Sequence, residues 1–246
     1  MVGFGQGGFS TAAGARPAVA AALFLFFLVW GGMATAGIVV TSEQRDFRDR
    51  MTQSREYYGN GRYRGDGTIL SGGGMTIMDE KAGAYWQGAP ERFCEAVKKM
   101  KAAMESLVPA EYREKPISQR KVTRRKIGTK TIAGFAATGY EFFVDGRPSG
   151  GKVWVSDAAG LSDLIAARRS IEKEFECKGM DEDSTNVQAS ELYKKTVEGK
   201  IVLDDGFRKV VSVEKKSIPV SVFSPPSGYR RFSSYEDFME YVEARQ

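Results

Sequence analysis

The chain has 246 residues, contains no histidine and carries a formal net charge of +5. The missing imidazole excludes serine or cysteine nucleophiles that need a histidine base, and it excludes most zinc sites. The net positive charge is small, and the sequence has no basic stripe interleaved with aromatic residues. Both observations argue against a nucleic-acid partner. Because no nucleophile motif or carboxylate pair stands out, we predict no catalytic residue, no metal, no cofactor and no enzymatic activity.

An apolar leader opens the chain. The uninterrupted apolar stretch at residues 18–30 has the length of a signal-peptide core, roughly 7–15 residues, and falls short of the roughly 20 that span a membrane. Ala34-Thr35-Ala36 follows, with the small residues that signal peptidase accepts. We predict that residues 1–36 are a signal peptide cut between Ala36 and Gly37. The product is an exported, periplasmic protein with only peripheral membrane contact; the alternative is an uncleaved helix that anchors the chain in the inner membrane.

Strands and one helix are predicted next. Residues 37–87 alternate short apolar runs with turn sequences such as Gly59-Asn60-Gly61, which is typical of antiparallel strands. Residues 89–107 predict the first helix, because apolar residues recur at three- and four-residue steps. That apolar stripe contains Phe93, Val97, Met100 and Met104.

The most basic run of the chain begins the second half. It contains Arg120, Lys121, Arg124, Arg125 and Lys126. The pattern indicates either the solvated face of a strand or a surface for an anionic headgroup or partner. A hairpin with an Asp145-Gly146 turn follows. Residues 161–176 then predict a second helix with Leu164, Ile165, Ile171 and Phe175 on its apolar side.

The last third is predicted to return to strands and to end in a helix. Residues 192–213 are interpreted as a strand pair, with Asp204-Asp205-Gly206 as its turn. A short helix starts at Ser233 or Ser234, and Ser233 with Glu236 has capping-box spacing. We therefore divide the exported chain into one domain at residues 37–230 and a C-terminal helix at residues 231–246.

Two cysteines, Cys94 and Cys177, are the only thiols in the chain. An even number of cysteines in an oxidising compartment favours a disulfide between them. The alternative is a pair of buried free thiols that behave as small hydrophobic residues. A bridge would tie the two long helices together.

Three stretches carry a family resemblance. They are Ile132-Ala133-Gly134-Phe135 with Gly139-Tyr140-Glu141, then Val153-Trp154-Val155-Ser156, and the ending from Ile218-Pro219 to Ser227-Gly228-Tyr229. In order and spacing they resemble a family of exported bacterial domains of unknown function, which is similar to the LolA/LolB superfamily of lipoprotein carriers. The resemblance implies an α+β fold in which a curved antiparallel sheet forms an incomplete barrel with helices packed in its concave mouth. It implies no catalytic residues, and it implies an apolar space between sheet and helices that can hold an acyl chain.

Two functions are consistent with these observations. In the first, an envelope protein binds a lipid, a lipoprotein acyl chain or another hydrophobic ligand between sheet and helices. The candidate contacts are the apolar residues of the two long helices: Phe93, Val97, Met100, Met104, Leu164, Ile165 and Phe175. In the second, the same residues fill a closed core, and the chain is a structural or interaction module for another envelope protein.

Overall fold

The computed structural model describes residues 34–45, 50–65, 67–71, 73–107, 109, 114–175, 177 and 184–245. Within these residues the chain forms an α+β fold with one large sheet that is curved and not closed. The prediction of a curved, open and mostly antiparallel sheet is confirmed. The predicted leader lies outside the described residues, apart from Ala34-Thr35-Ala36.

Twelve strands and four α-helices make up the described fold. The strands are β1 (Ala34–Arg45), β2 (Met51–Gly59), β3 (Arg62–Gly65), β4 (Thr68–Ser71), β5 (Gly74–Asp79), β6 (Ala84–Gly88), β7 (Val122–Ile132), β8 (Phe135–Val144), β9 (Arg147–Ser156), β10 (Ile201–Asp204), β11 (Arg208–Pro219) and β12 (Arg230–Phe232). The helices are α1 (Pro90–Ser106), α2 (Ser162–Phe175), α3 (Glu191–Val197) and α4 (Tyr235–Glu243).

The sheet consists of two meanders that meet at β1. Its strand order is β12-β6-β5-β4-β3-β2-β1-β11-β10-β9-β8-β7. Neighbouring strands are antiparallel except β12 and β6, which run parallel. Strands β7 and β12 are therefore the two edges of the described sheet, and β1 lies at its middle, between β2 and β11.

Tight hairpin turns connect the strands. Asn60 and Gly61, and likewise Asp145 and Gly146, adopt positive φ at both positions, with φ of 53° and 67° in the first turn and 52° and 81° in the second. Two consecutive positive φ angles are required by the type I′ turn, whose twist matches that of the flanking strands. Both turns were predicted from their Asn-Gly and Asp-Gly sequences.

Both faces of the sheet are covered, because alternate residues of a strand point to opposite sides. On the side that we call the core face, Ile38 and Val40 of β1 pack with Leu164 of α2 and Phe238 of α4. On the opposite side, the back face, Val39 packs in a separate cluster. A further back-face cluster, around Phe142, Val153 and Val155, is covered by α3 residues.

The prediction of strand structure at residues 192–200 is wrong, because helix α3 occupies most of this segment. Ser190 caps the helix, with its Oγ accepting a hydrogen bond from the Tyr193 N–H at 3.2 Å. Gly199 follows the helix with φ of 71°, the left-handed conformation that commonly ends helices. Leu192, Tyr193 and Val197 pack against the back face. The segment is too short for its helical period to stand out from a strand pattern.

The C-terminal helix belongs to the main core. Ser234 caps α4, and its Oγ accepts from the Asp237 N–H at 3.1 Å. Phe238 and Val242 of α4 pack in the same cluster as Phe232 of β12. Ser234 rather than Ser233 is therefore the cap.

Cys94 and Cys177 are bridged, with their Cα atoms 5.5 Å apart. Cys94 lies in the first turns of α1, and Cys177 follows the end of α2. The bridge joins two helices across a sequence separation of 83 residues. The predicted pairing is thus present in the structure, and it is compatible with an oxidising, exported location.

Candidate functional site

A cavity of about 610 Å³ lies between α2 and the middle of the sheet. Helix α2 contributes Ala167 and Ile171, and the sheet contributes Ile38 and Tyr58. The turn between β2 and β3 reaches its rim with Asn60. Such a volume falls within the range of small-molecule sites, roughly 300–1,000 Å³, and the mixture of apolar walls and few polar groups is typical of them.

One ion pair crosses the rim of this cavity. Lys215 of β11 donates a hydrogen bond from Nζ to Asp163 Oδ2 of α2 at 2.5 Å. The hydrogen bond and the charge of Lys215 hold the pKa of Asp163 below its ordinary value. Both side chains are more than half exposed, so the pair contributes little to stability. It nevertheless places one cation and one carboxylate at the opening.

Beside the cavity, on the same face of the sheet, a buried polar cluster is centred on Glu56 of β2, whose side chain is 5% exposed. Arg208 of β11 donates from Nη2 to Glu56 Oε2 at 2.7 Å. Tyr58 and Tyr63 donate from their hydroxyls to Glu56 at 3.1 and 3.4 Å. Arg168 of α2 donates from Nε to the Tyr58 hydroxyl oxygen at 3.1 Å. The cluster therefore connects the helix above the cavity to three strands of the sheet.

The cluster changes the acidity of its members. Burial is the main reason that the pKa of Tyr58 is raised to about 12; the charge of Arg168 opposes this rise and that of Glu56 adds to it. Burial would lower the pKa of the Arg168 guanidinium. The charge that Tyr58 carries at alkaline pH, the charge of Glu56 and the hydrogen bond with Tyr58 outweigh burial and raise the pKa. At neutral pH, Tyr58 is therefore a neutral donor, and Arg168 is a cation.

We expect Tyr58 to make stability fall at alkaline pH. Its folded-state pKa of about 12 exceeds the ordinary value of 10.0, so the folded chain keeps a proton that the unfolded chain releases. Its contribution is present below pH 10 and is lost as the pH rises through 12. Urea unfolding across this interval should show a steeper fall for the wild type than for Tyr58→Phe. Parallel curves would contradict the assignment.

The candidate ligand contacts predicted on α1 lie away from this cavity. Phe93 is half-buried and packs edge-on against Tyr235 of α4, with ring centroids 5.4 Å apart. Val97 is half-buried, and Met100 is 46% exposed. The side chain of Met104 lies outside the described residues. Thus α1 contributes no described residue to the cavity wall.

The predicted contacts on α2 fall on other faces of the same helix. Leu164 is buried in the main core. Ile165 packs against that core and lines a second, more polar cleft between α2 and α3. The side chain of Phe175 lies outside the described residues. The helix that we predicted does cover a cavity, but through Ala167 and Ile171.

The basic run extends from the residues just before β7 into β7, an edge strand. Arg120 pairs with Glu114 and Asp145, each at 2.9 Å. The other four side chains lie at the surface. Arg124 lies over the Tyr140 ring and donates to Thr196 Oγ1, and Arg125 pairs with Glu141 at 2.5 Å. Lys121 and Lys126 are exposed. Cations along an exposed edge hinder pairing with further strands.

The predicted cleavage site lies in β1. Ala34, Thr35 and Ala36 pair with Pro219, Ile218 and Ser217 of β11, and Ala36 and Gly37 line the cavity. A cut after Ala36 would therefore remove three residues that pair with β11, of which Ala36 lines the cavity. None of the helices in the described part of the chain combines the length and hydropathy of a membrane span.

Sequence reasoning missed the Glu56 cluster. Its members lie far apart in the chain: Arg208 is 152 positions from Glu56, and Arg168 is 110 positions from Tyr58. The one local signal is that Glu56 shares a strand face with Tyr58, two residues on. That signal indicates a buried carboxylate only once β1 is known to lie beside β2, because Glu56 is then paired with Val40, a core-face residue.

The described residues include no group of three or more side chains arranged to hold a metal ion. The arrangement is suited to binding: a largely apolar cavity, an ion pair at its rim and a hydrogen-bonded polar cluster beside it. No protein-family model matches this chain, and no curated protein sequence matches it.

Proposed function

We propose that the protein binds a hydrophobic ligand, such as a lipid or a lipoprotein acyl chain, between α2 and the sheet, as an exported and non-enzymatic protein of the cell envelope. The observation that carries the proposal is the cavity of about 610 Å³ against Ile38, Ala167 and Ile171. Burying an acyl chain contributes about 0.8 kcal/mol per CH₂. A cavity of this size therefore needs no special chemistry to hold one.

The surroundings of the cavity support a stable binding site. Arg168 holds α2 to the sheet through Tyr58, and the disulfide fixes the chain just after α2 to α1. A preformed site loses less conformational entropy when a ligand binds than one that must first be ordered. The cavity wall is therefore expected to change little between the free and the bound states.

The sequence of the leader favours export over anchoring. The apolar stretch at residues 18–30 is shorter than the roughly 20 residues that cross a bilayer. We therefore retain signal-peptide cleavage as the proposal, with a disulfide formed in the periplasm. N-terminal sequencing of the protein recovered from the periplasm tests it.

Filling the cavity from α2 is expected to weaken ligand binding. Ser170 is exposed and lines the cavity, so Ser170→Trp places an indole in the opening without disturbing the core. We expect the affinity for the neutral fluorophore N-phenylnaphthylamine to fall by about tenfold, which corresponds to about 1.4 kcal/mol. Fluorescence titration gives the dissociation constant.

The matched control is Ala166→Trp, which alters an exposed residue of the same helix that does not line the cavity. It should bind the fluorophore as the wild type does. Equal loss in both variants would place binding elsewhere, and the absence of binding by the wild type would contradict the proposal. Native mass spectrometry after gentle purification provides a second measurement, since a carrier should retain lipid.

The edge strand β7 favours a second candidate, an interaction module for another envelope protein. Its outer edge has no neighbouring strand among the described residues; Lys126 lies exposed in it, and Lys121 lies exposed just before it. An extended acidic segment of a partner would complement this edge. The other edge, β12, begins with Arg230 and Arg231, so like charges disfavour pairing between copies. Stoichiometric capture of one envelope protein, abolished by Lys121→Glu with Lys126→Glu, would support this candidate.

A further inference from the structure

The charges around the cavity are unequal. Four charged residues line it: Arg62, Lys215 and Lys216 are cations, and Asp163 is the one carboxylate. Lys216 pairs with Glu214 at 3.1 Å, and Glu214 does not line the cavity. Among the described lining residues the rim therefore carries a positive excess, although the walls are largely apolar.

Lys215 is the cation placed to meet a ligand headgroup. It is the register partner of Ile38, a core-face residue that lines the cavity. Its Nζ reaches across the opening to Asp163 on α2. Both side chains are more than half exposed, so exchanging one carboxylate for another at this position requires no rearrangement of the core.

We propose that the ligand of this cavity is a single-chain amphiphile with an anionic headgroup, which Lys215 binds in place of Asp163. This inference rests on the proposed function, because the apolar chain must first enter the cavity. The ligand carboxylate accepts from Lys215 Nζ as Asp163 does now, while its chain lies against Ala167 and Ile171. Arg62 adds positive potential at the rim, whereas Glu214 offsets the charge of Lys216; the remaining excess favours an anion over a neutral headgroup.

The exchange makes Asp163 a competitor of the ligand. In the free protein the Asp163 carboxylate is hydrogen-bonded to Lys215, the cation that the headgroup would bind. It also repels a second carboxylate at short range. Removing the Asp163 charge should therefore strengthen the binding of an anionic amphiphile, and removing the Lys215 charge should weaken it. A merely structural ion pair would give no such opposite effects, since either substitution breaks the same pair.

The test is the displacement of N-phenylnaphthylamine by dodecanoate and by dodecanol, which have the same chain length and different headgroups. We expect Lys215→Gln to weaken dodecanoate binding by roughly five- to tenfold, as for a hydrogen-bonded charge at a partly exposed site. Asp163→Asn should strengthen it several-fold. Dodecanol should bind all variants alike. Lys209→Gln, on the same strand but outside the cavity lining, is the control and should leave both affinities unchanged.

The outcomes separate this inference from the proposed function. If dodecanol binds to the wild type as tightly as dodecanoate, the inference of an anionic headgroup is wrong, but the proposal that the cavity binds an apolar chain is not contradicted. If Lys215→Gln and Asp163→Asn shift dodecanoate binding in the same direction, the exchange at Lys215 is wrong. If the wild type binds neither the fluorophore nor either amphiphile, the proposed function itself fails.

Discussion

Replacing Glu56 with alanine is expected to destabilise the fold by about 3–5 kcal/mol, the usual cost of removing one partner of a buried ion pair. Glu56 accepts hydrogen bonds from Arg208, Tyr58 and Tyr63 in a site that is nearly closed to water. Without the Glu56 carboxylate, the half-buried guanidinium of Arg208, whose side chain is 23% exposed, loses its counter-charge. Urea unfolding at neutral pH, followed by circular dichroism, measures the change.

The matched control is Glu214→Ala, which breaks the exposed pair with Lys216. Surface pairs contribute about 0–1 kcal/mol, so the unfolding midpoint should hardly move. Glu56→Gln keeps the shape of the side chain and removes only its charge, and we expect it to fall between the two. A Glu56→Ala variant as stable as Glu214→Ala would show that the cluster does not hold the sheet and α2 together.

Removing the disulfide is expected to cost about 2–5 kcal/mol, in the range seen when native disulfides are lost. The bridge between Cys94 and Cys177 closes a long loop, with a sequence separation of 83 residues. Opening this loop increases the conformational entropy of the unfolded chain. The double variant Cys94→Ser with Cys177→Ser should unfold at a correspondingly lower denaturant concentration than the oxidised wild type.

Reduction of the wild type provides the control, because it opens the same bridge without changing the sequence. The reduced wild type and the double serine variant should unfold at similar midpoints. If dithiothreitol leaves the wild-type midpoint unchanged, the bridge does not contribute to the stability of the folded protein. Mass spectrometry with a thiol-alkylating reagent confirms that each sample has the intended thiol state.

Local sequence patterns predicted the elements whose signals lie within a few residues. Helix α1 was expected at residues 89–107 and spans Pro90–Ser106, and α2 was expected at residues 161–176 and spans Ser162–Phe175. Their apolar stripes are long enough to show the helical period. The type I′ turn at Asp145 and Gly146 was equally recognisable, because few sequences accept two positive φ angles.

One local turn was not predictable from its residues. At Ala133 and Gly134 a non-glycine residue adopts φ of 49°, which alanine rarely does, so Ala-Gly is not a recognisable turn sequence.

Contacts between distant segments were not predictable either. The cavity depends on the register of β1 with β2 and β11 and on which face of α2 meets them. The helical period predicted that Leu164 would lie on the apolar side of α2, and it is buried in the core. The period could not show that Ala167 and Ile171 line a cavity.

Photo-crosslinking with a diazirine-bearing fatty acid tests the location of the ligand most directly. After irradiation of the complex and proteolysis, mass spectrometry identifies the labelled peptides. The proposed site predicts labels in α2 around Ala167 and Ile171 and in β1 around Ile38, and their loss in Ser170→Trp. Labels confined to α1, or labels unaffected by Ser170→Trp, would contradict binding between α2 and the sheet.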